Sequence, residues 1–192
     1  MASQAQLSEF RMSREIKRAL VTAGVGAGFA LAGSIGRKLV AQAPSALAGD
    51  WDQALAREHR KARALFDKLQ DSRGMGKTRR SMLLTQLKNA LGKHALEEED
   101  VIYPAMRDAG MATEADNLTS EHGYVKQYLY DLADLVSDDA AFLEKLASFR
   151  SDIEKHMEEE EETLFPELKR KLDAAATKTL TRRMNMEGLK LA

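Results

Sequence analysis

Two similar eleven-residue segments constrain this chain more than any other feature of its sequence. One runs from His94 to Pro104 and reads HALEEEDVIYP, and the other runs from His156 to Pro166 and reads HMEEEEETLFP. Each contains a histidine, a glutamate four residues later, a run of acids, an aromatic residue and a proline. On a helix, residues i and i+4 lie one above the other on the same face. Each segment therefore presents an imidazole and a carboxylate to one point.

The chain has four histidines, and each lies in a different predicted helix. A single inward-facing histidine is usually a hydrogen-bonded core residue. Four of them, two in repeated His–Glu pairs, are a much stronger pattern, because all four would have to fall on inward faces by accident. The sequence therefore predicts a metal site with six candidate ligands: His59, His94, Glu98, His122, His156 and Glu160.

The two candidate carboxylates differ from their acidic neighbours in the face they occupy. Glu98 and Glu160 each lie one turn from a histidine, on the side of the helix where the apolar residues run. Burying a carboxylate there is costly unless it is paired or bound to a metal. The other acids of the two runs are expected to lie on solvated faces: Glu97, Glu99, Glu158, Glu159, Glu161 and Glu162. Spacing alone leaves open whether Glu160 or Glu161 is the ligand that follows His156.

The donor atoms narrow the choice of metal. The chain has no cysteine, which excludes disulfides, zinc–thiolate sites and iron–sulfur clusters. Four imidazoles and two carboxylates are more ligands than one tetrahedral zinc ion requires. Imidazole with carboxylate suits iron or manganese, and two carboxylates centred between two ions would make a dinuclear site. Ferritin-like di-iron bundles use Glu-x-x-His instead, with glutamate first and i, i+3 spacing.

Apolar periodicity predicts four helices, over residues 51–71, 78–103, 112–136 and 139–165. Charged residues make up 31% of the chain and hydrophobic residues 44%, which is the composition of a soluble globular protein. The helices are long and their connections short, so neighbouring helices are expected to be antiparallel. The sequence therefore predicts an all-α, up-down-up-down four-helix bundle over residues 50–168, with Pro104 and Pro166 ending or kinking two of its helices.

Residues 1–49 form an N-terminal extension with a predicted Gly/Ala-rich helix at about 15–41. Residues 19–36 carry no charge, and small residues recur there at four-residue spacing. A stripe of small residues lets helices approach closely, which favours a homo-oligomer. An uncharged run of this length also suits a marginal membrane span or a surface anchor. A signal peptide fits worst, because a basic pair interrupts the apolar region before residues 41–43.

Residues 169–192 form a basic C-terminal tail, predicted to be helical and to lie over the bundle. The net charge of -1 and the lack of aromatic residues among the tail's cations argue against nucleic-acid binding. A cytoplasmic location is the default for this composition, and membrane association through the N-terminal helix is the alternative.

The six candidate ligands follow a recognisable order: His59, His94-x3-Glu98, His122 and His156-x3-Glu160. This order, with the endings EEDVIYP and EEETLFP, resembles the hemerythrin-like HHE cation-binding domain family over about residues 50–168. The resemblance implies a four-helix bundle with a non-haem di-iron centre. In it, Glu98 and Glu160 would bridge two iron ions, and the four histidines would cap them. It also implies that dioxygen, nitric oxide or peroxide binds at an open iron position.

One position departs from the family pattern. Oxygen-carrying hemerythrins have a fifth histidine one turn after the third, and this chain has Lys126 there. Lysine is not an equivalent ligand, so one iron would be less saturated, or the lysine would change the charge of the pocket. This favours sensing, peroxide or nitric-oxide chemistry, or iron handling over reversible oxygen carriage. Tyr124 and Tyr128 are near enough in sequence to approach the metal.

Three functional hypotheses follow. The first is a di-iron protein that interacts with dioxygen, nitric oxide or peroxide in stress protection, sensing or iron handling. The second is an enzyme, with peroxidase-like or catalase-like turnover at the same site. The third is an oligomeric or membrane-associated scaffold assembled through residues 19–36, in which the metal only stabilises the bundle.

Overall fold

The computed structural model describes residues 49–191. The predicted Gly/Ala-rich helix lies outside these residues, as do the oligomer, membrane-anchor and signal-peptide interpretations attached to it. Within the described part of the chain, no helix is both long enough and apolar enough to cross a lipid bilayer.

Seven α-helices make up the described chain. They are α1 Trp51–Gln70, α2 Lys77–Glu97, α3 Tyr103–Asp108, α4 Ala112–Leu135, α5 Asp139–Glu159, α6 Phe165–Lys171 and α7 Ala174–Gly188. No strand occurs among residues 49–191. The prediction of an all-α bundle is therefore confirmed.

A π-turn joins α2 to α3, and a second joins α5 to α6. The first spans Glu98–Ile102 and the second spans Glu160–Leu164. Each is closed by a bond across five residues, from the amide of the residue before the proline to the carbonyl of the glutamate that opens the turn. Because proline has no N–H, a regular turn would leave one carbonyl without its donor, and the wider turn accommodates this loss.

The prediction that Pro104 and Pro166 end or kink their helices is therefore refined. Both helices run on through the π-turn, and each proline lies in the first turn of the helix that follows. A π-turn adds a residue to the helical cycle, so consecutive side chains after each glutamate turn inward. Val101, Ile102 and Tyr103 are all buried as a result.

The four long helices pack as a square. Helix α1 packs against α2 and α5, and α4 packs against α5 and α2. The α1–α2 hairpin therefore forms one face of the bundle and the α4–α5 hairpin forms the opposite face. The two repeated segments lie on α2 and α5, which are diagonal to each other, so their π-turns meet across the bundle axis.

The apolar core has two parts with a polar layer between them. One cluster surrounds Trp51, Met106 and Phe165, and the other surrounds Phe66, Leu87 and Phe149. On α1 and α4 the histidine lies between residues of the two clusters, and on α2 and α5 it lies between the second cluster and a residue of the following π-turn that belongs to the first. The four histidines therefore occupy a single layer, sealed by apolar side chains on both sides.

Helix α7 forms part of the basic tail and lies over the π-turn end of the bundle. It contacts α2, the first π-turn and α1. Leu180 and Met184 are buried in the cluster that contains Trp51, and the Trp51 amide donates to Thr181 Oγ1 at 3.0 Å. The tail therefore caps the start of α1.

A buried arginine fixes the other end of the bundle. The Arg80 guanidinium donates to Ser72 Oγ at 3.0 Å, Ser72 O at 2.9 Å, Val136 O at 3.0 Å and the Asp139 carboxylate. Its Cζ atom lies 4.9 Å above the Phe142 ring. One side chain thus ties the α1–α2 loop to the end of α4 and the start of α5.

Replacing this arginine is expected to be strongly destabilising. Arg80→Met removes one partner of a buried network, so Val136 O loses its arginine donor and Ser72 O keeps only the Met75 amide. We expect the free energy of unfolding to fall by about 3–5 kcal/mol in urea titrations. The control is Arg79→Met at the neighbouring exposed position, where the change should stay within about 0.5 kcal/mol. Equal effects of the two substitutions would contradict the role assigned to Arg80.

Candidate metal centre

The four histidine side chains present their Nε2 atoms to the centre of the bundle. All four are buried. His59 Nε2 and His94 Nε2 lie 2.9 Å apart, and the rings of His122 and His156 lie 5.2 Å apart between centroids. The histidines therefore form two pairs, one from α1 and α2 and the other from α4 and α5.

The two π-turn glutamates lie between these pairs. Glu98 is 3.1 Å from His94 Nε2 through Oε1 and 3.4 Å from His122 Nε2 through Oε2. Glu160 Oε2 is 3.4 Å from His59 Nε2 and 3.5 Å from His156 Nε2. Each carboxylate thus approaches one histidine of each pair, which is the arrangement that a bridging carboxylate requires.

Several of the candidate ligand atoms at the centre are buried without hydrogen-bond partners, as expected for atoms that bind a metal. Glu98 Oε1, Glu160 Oε2 and His156 Nε2 are fully buried, and none makes a hydrogen bond. Buried polar atoms are almost always hydrogen-bonded, so three unsatisfied atoms in one place need another partner. Two overlapping groups have ligand atoms within 4.8 Å of one another: His59, His94, Glu98 and Glu160; and Glu98, His122 and His156. This clustering fits metal binding.

Each histidine is also oriented from its outer side by a carboxylate. The four contacts from Nδ1 are to Glu161 Oε1 at 2.7 Å for His59, Glu58 Oε2 at 3.3 Å for His94, Glu99 Oε1 at 2.9 Å for His122, and Glu121 Oε2 at 2.6 Å for His156. A carboxylate at Nδ1 holds that proton and leaves Nε2 free to bind metal, as around metal-bound histidines generally.

These contacts correct the prediction that the remaining acids of the two runs lie on solvated faces. Glu97 is fully buried, Glu99 is half-buried against His122, and Glu161 is half-buried between His59 and Arg63. Only Glu158, Glu159 and Glu162 are exposed. Glu160 lies at the Nε2 side of His59 and His156, whereas Glu161 lies at the Nδ1 side of His59, and this placement favours Glu160 as the ligand that follows His156.

The charges of the histidines and glutamates at the centre compensate one another. Burial alone would lower the pKa of His94, but the Glu98 charge and the bond to Glu58 outweigh it and raise that pKa well above its usual value. Burial likewise favours neutral Glu98, yet the His94 charge and the close approach of both His94 and His122 hold its pKa well below the ordinary value. Metal binding requires neutral imidazole, so it must displace the proton that His94 retains.

A second group of charges supports His94 from the side of α1. Lys93 Nζ donates to Glu97 Oε1 at 2.8 Å and to the Glu58 carboxylate. Burial and the neighbouring Glu58 charge raise the pKa of Glu97 to about 8, whereas hydrogen bonding and charge from His94 outweigh burial and lower the pKa of Glu58. The ionised carboxylate is therefore the one that faces His94.

Tyr103 is a residue of the centre that sequence reasoning missed. Its hydroxyl lies 3.0 Å from Glu160 Oε1, 3.1 Å from His122 Nε2 and 3.3 Å from Glu98 Oε2, and the side chain is fully buried. Burial and the two carboxylate charges raise the pKa of Tyr103 well above its usual value. The available signal was its place five residues after Glu98, which the π-turn rotates inward.

The tyrosines proposed from sequence lie elsewhere. Tyr124 is 68% exposed, and Tyr128 donates from its hydroxyl to Asp152 Oδ2 at 2.6 Å. Lys126 is also exposed, and its Nζ atom lies 3.3 Å from Glu99 Oε1. The lysine therefore does not fill the position of a fifth histidine, and it acts on His122 only through Glu99.

Comparison with protein families agrees with this geometry. The hemerythrin HHE cation-binding domain matches residues 52–168, more than half of the chain. This chain belongs to the hemerythrin family. The resemblance inferred from sequence is therefore confirmed. Searches of curated proteins and of solved structures gave no match. The HHE match covers the bundle and both repeated segments, so the histidines and glutamates of this hemerythrin domain are its candidate metal ligands.

The carboxylates at Nδ1 are expected to control metal affinity in this hemerythrin domain without being ligands. Glu121→Gln keeps the shape of the side chain but removes the charge that orients His156. We expect metal affinity to fall about 10–100-fold, measured by competition with a chelating dye. Glu114→Gln, on the same helix and facing no histidine, is the control and should bind as the unmodified protein does. Unchanged affinity in Glu121→Gln would show that the contact does not orient the ring.

Proposed function

We propose that this domain holds two non-haem iron ions and interacts through them with dioxygen, nitric oxide or peroxide. The proposed ligands are His59 and His94 for one ion and His122 and His156 for the other, with Glu98 and Glu160 bridging them. Stress protection, sensing and iron handling in the cytoplasm are the roles that such a centre would serve.

The observation that carries the proposal is the set of unsatisfied buried atoms at the bridging positions. Glu98 Oε1 and Glu160 Oε2 have no hydrogen-bond donor, although each lies within 3.5 Å of an imidazole nitrogen. Four imidazoles and two carboxylates without sulfur suit iron better than zinc. Each of the two carboxylates lies close to one histidine from each pair, and this supports two ions rather than one.

The residues around the centre have different proposed roles. When bound, iron supplies the redox chemistry and the position at which a small oxidant binds. The four outer carboxylates hold the Nδ1 protons and fix the direction of the rings. The apolar clusters above and below exclude water from the histidine layer. Because Lys126 is exposed, neither ion would have a third histidine, which would leave room for a small ligand beside the shared carboxylates.

The proposal is tested by the visible absorption spectrum of protein loaded with iron under reducing, oxygen-free conditions. We expect a charge-transfer band to appear on exposure to air, and a different band on addition of nitric oxide to the reduced protein. The band should be absent from the His94→Ala, His156→Ala double variant. Iron-loaded protein with no spectral response to either gas would contradict the proposed function.

A second candidate function is turnover of peroxide at the same site, and the position of Tyr103 favours it. Peroxide cleavage requires a proton at the departing oxygen, and the buried Tyr103 phenol carries a proton at the centre. The hydroxyl lies at hydrogen-bond distance from both candidate bridging carboxylates. Peroxide consumption by the iron-loaded protein would distinguish this enzyme from a binding or sensing protein.

A further inference from the structure

The two hairpins of the bundle carry opposite charge. Residues 51–97, which form the α1–α2 hairpin, contain 11 basic and 5 acidic side chains. Residues 112–159, which form the α4–α5 hairpin, contain 4 basic and 12 acidic side chains. Since these hairpins form opposite faces, the near-neutral net charge of the chain hides a strong asymmetry across the bundle.

Six cations of the α1–α2 face are exposed and have no acidic partner among the described residues. They are Arg57, Arg60, Lys61 and Lys68 on α1, and Arg79 and Lys88 on α2. All six are exposed, and none lies within ion-pair distance of an acid in residues 49–191, whereas Arg63, Arg80 and Lys93 of the same hairpin are all paired. Unpaired cations gathered on one face create a positive potential that attracts an anionic surface.

The same face also exposes apolar side chains. Lys61 and Lys68 are two helical turns apart and border a groove of about 470 Å³ between α1 and α2. Its lining includes the exposed Leu191, the half-buried Ala90 and the buried Leu65, and Met82 on α2 is 60% exposed. Lysines bordering an apolar groove can lay their aliphatic stems along it and extend their amines outward, as basic residues do at a lipid interface.

We propose that the α1–α2 face docks onto membranes whose surface carries anionic phospholipids. Exposed methionine and leucine among the lysines favour a lipid surface over nucleic acid, which would take aromatic side chains for stacking. The sequence before the bundle has the same character, since residues 19–36 are uncharged and Arg18 and Arg37 border them. The acidic α4–α5 face is repelled by such a surface, so the groove that reaches His156 on that side stays open to water.

The test is flotation of the full-length, iron-loaded protein with vesicles of phosphatidylcholine alone or mixed with phosphatidylglycerol. We expect binding to the mixed vesicles only, and loss of binding at high salt. Lys61→Glu with Lys68→Glu should reduce the partition coefficient by at least about thirtyfold, because each cation near an anionic surface contributes about a fivefold change. Neither lysine contacts the metal centre, so iron content and thermal stability are measured alongside to show that the variant is folded.

The matched control is Lys145→Glu with Lys155→Glu, which makes the same change in net charge on the α4–α5 face. This variant should bind mixed vesicles as the unmodified protein does. The proposal is overturned by equal loss in both variants, by equal binding to phosphatidylcholine alone, or by no binding to either vesicle. It is also overturned if duplex DNA displaces the protein from the vesicles at a DNA concentration below the lipid concentration needed for binding. A dimer that forms without vesicles, dissociates at high salt and is lost in the Lys61, Lys68 variant would likewise overturn it.

Discussion

Protein with Glu98→Gln and Glu160→Gln is expected to fold but to retain no iron. Both substitutions keep the size of the side chain while removing the negative charge from the two central positions. Removing one partner of a buried charge pair that forms on binding costs about 2–5 kcal/mol of binding free energy. Loss of both carboxylates should therefore weaken iron binding by more than about a thousandfold. Iron content after gel filtration measures the loss of binding, and the helical circular-dichroism signal shows whether the variant is folded.

The control for this double variant uses the same acidic run. Glu158→Gln with Glu159→Gln also removes two carboxylates, but both are exposed to solvent. This variant should retain its iron. If it lost as much iron as the Glu98, Glu160 variant, general negative charge near the site would account for binding, and the assignment of the two central glutamates would be wrong.

Replacing Tyr103 by phenylalanine is expected to separate peroxide turnover from metal binding. The substitution removes one hydroxyl at the carboxylates and leaves the ring in its buried position. If Tyr103 donates the proton during peroxide cleavage, turnover should fall by about a hundredfold or more while iron content stays unchanged. Peroxide consumption is followed with an oxygen electrode and by absorbance.

Tyr124→Phe is the matched control, since it removes a hydroxyl from an exposed tyrosine of α4. Its turnover should equal that of the unmodified protein. A Tyr103→Phe variant that keeps full turnover would remove the phenol from the mechanism, and a variant that loses iron in proportion to activity would show that the hydroxyl supports binding instead.

The bundle and the six inward-facing residues could be predicted because both depend on local periodicity. His94 with Glu98, and His156 with Glu160, face one way wherever the segment is helical. Apolar stripes around all four histidines indicated that each helix turns the same face to the core. The absence of cysteine and the His-first order of the pairs then limited the donor set. These inferences required only residue type and spacing.

The surroundings of the six residues could not be predicted in the same way, because they come from different helices. The carboxylate at each Nδ1 belongs to another segment, as with Glu161 and His59, which are 102 positions apart. Glu97 is expected from sequence to be solvated, but Lys93, which donates to it, also donates to Glu58 of α1, and this shared contact holds Glu97 in the interior. Spacing along one helix contains no information about such partners.

The inward turn of Tyr103 shows a different limit. In a regular α-helix, a residue five positions after Glu98 would lie well away from it around the axis. The π-turn changes that angle and brings the hydroxyl to 3.3 Å from the Glu98 carboxylate. The proline after Tyr103 indicates an irregularity in the helix. From sequence alone, that irregularity could equally be a π-turn, a kink or the end of the helix.

The bridged centre is tested most directly by the iron content of the protein after anaerobic loading with Fe(II) and removal of unbound metal. We expect two iron ions per chain, bound in competition with protons and lost together when either Glu98 or Glu160 is replaced. A single ion, or an unchanged iron content in both glutamate variants, would contradict a centre bridged by these two side chains.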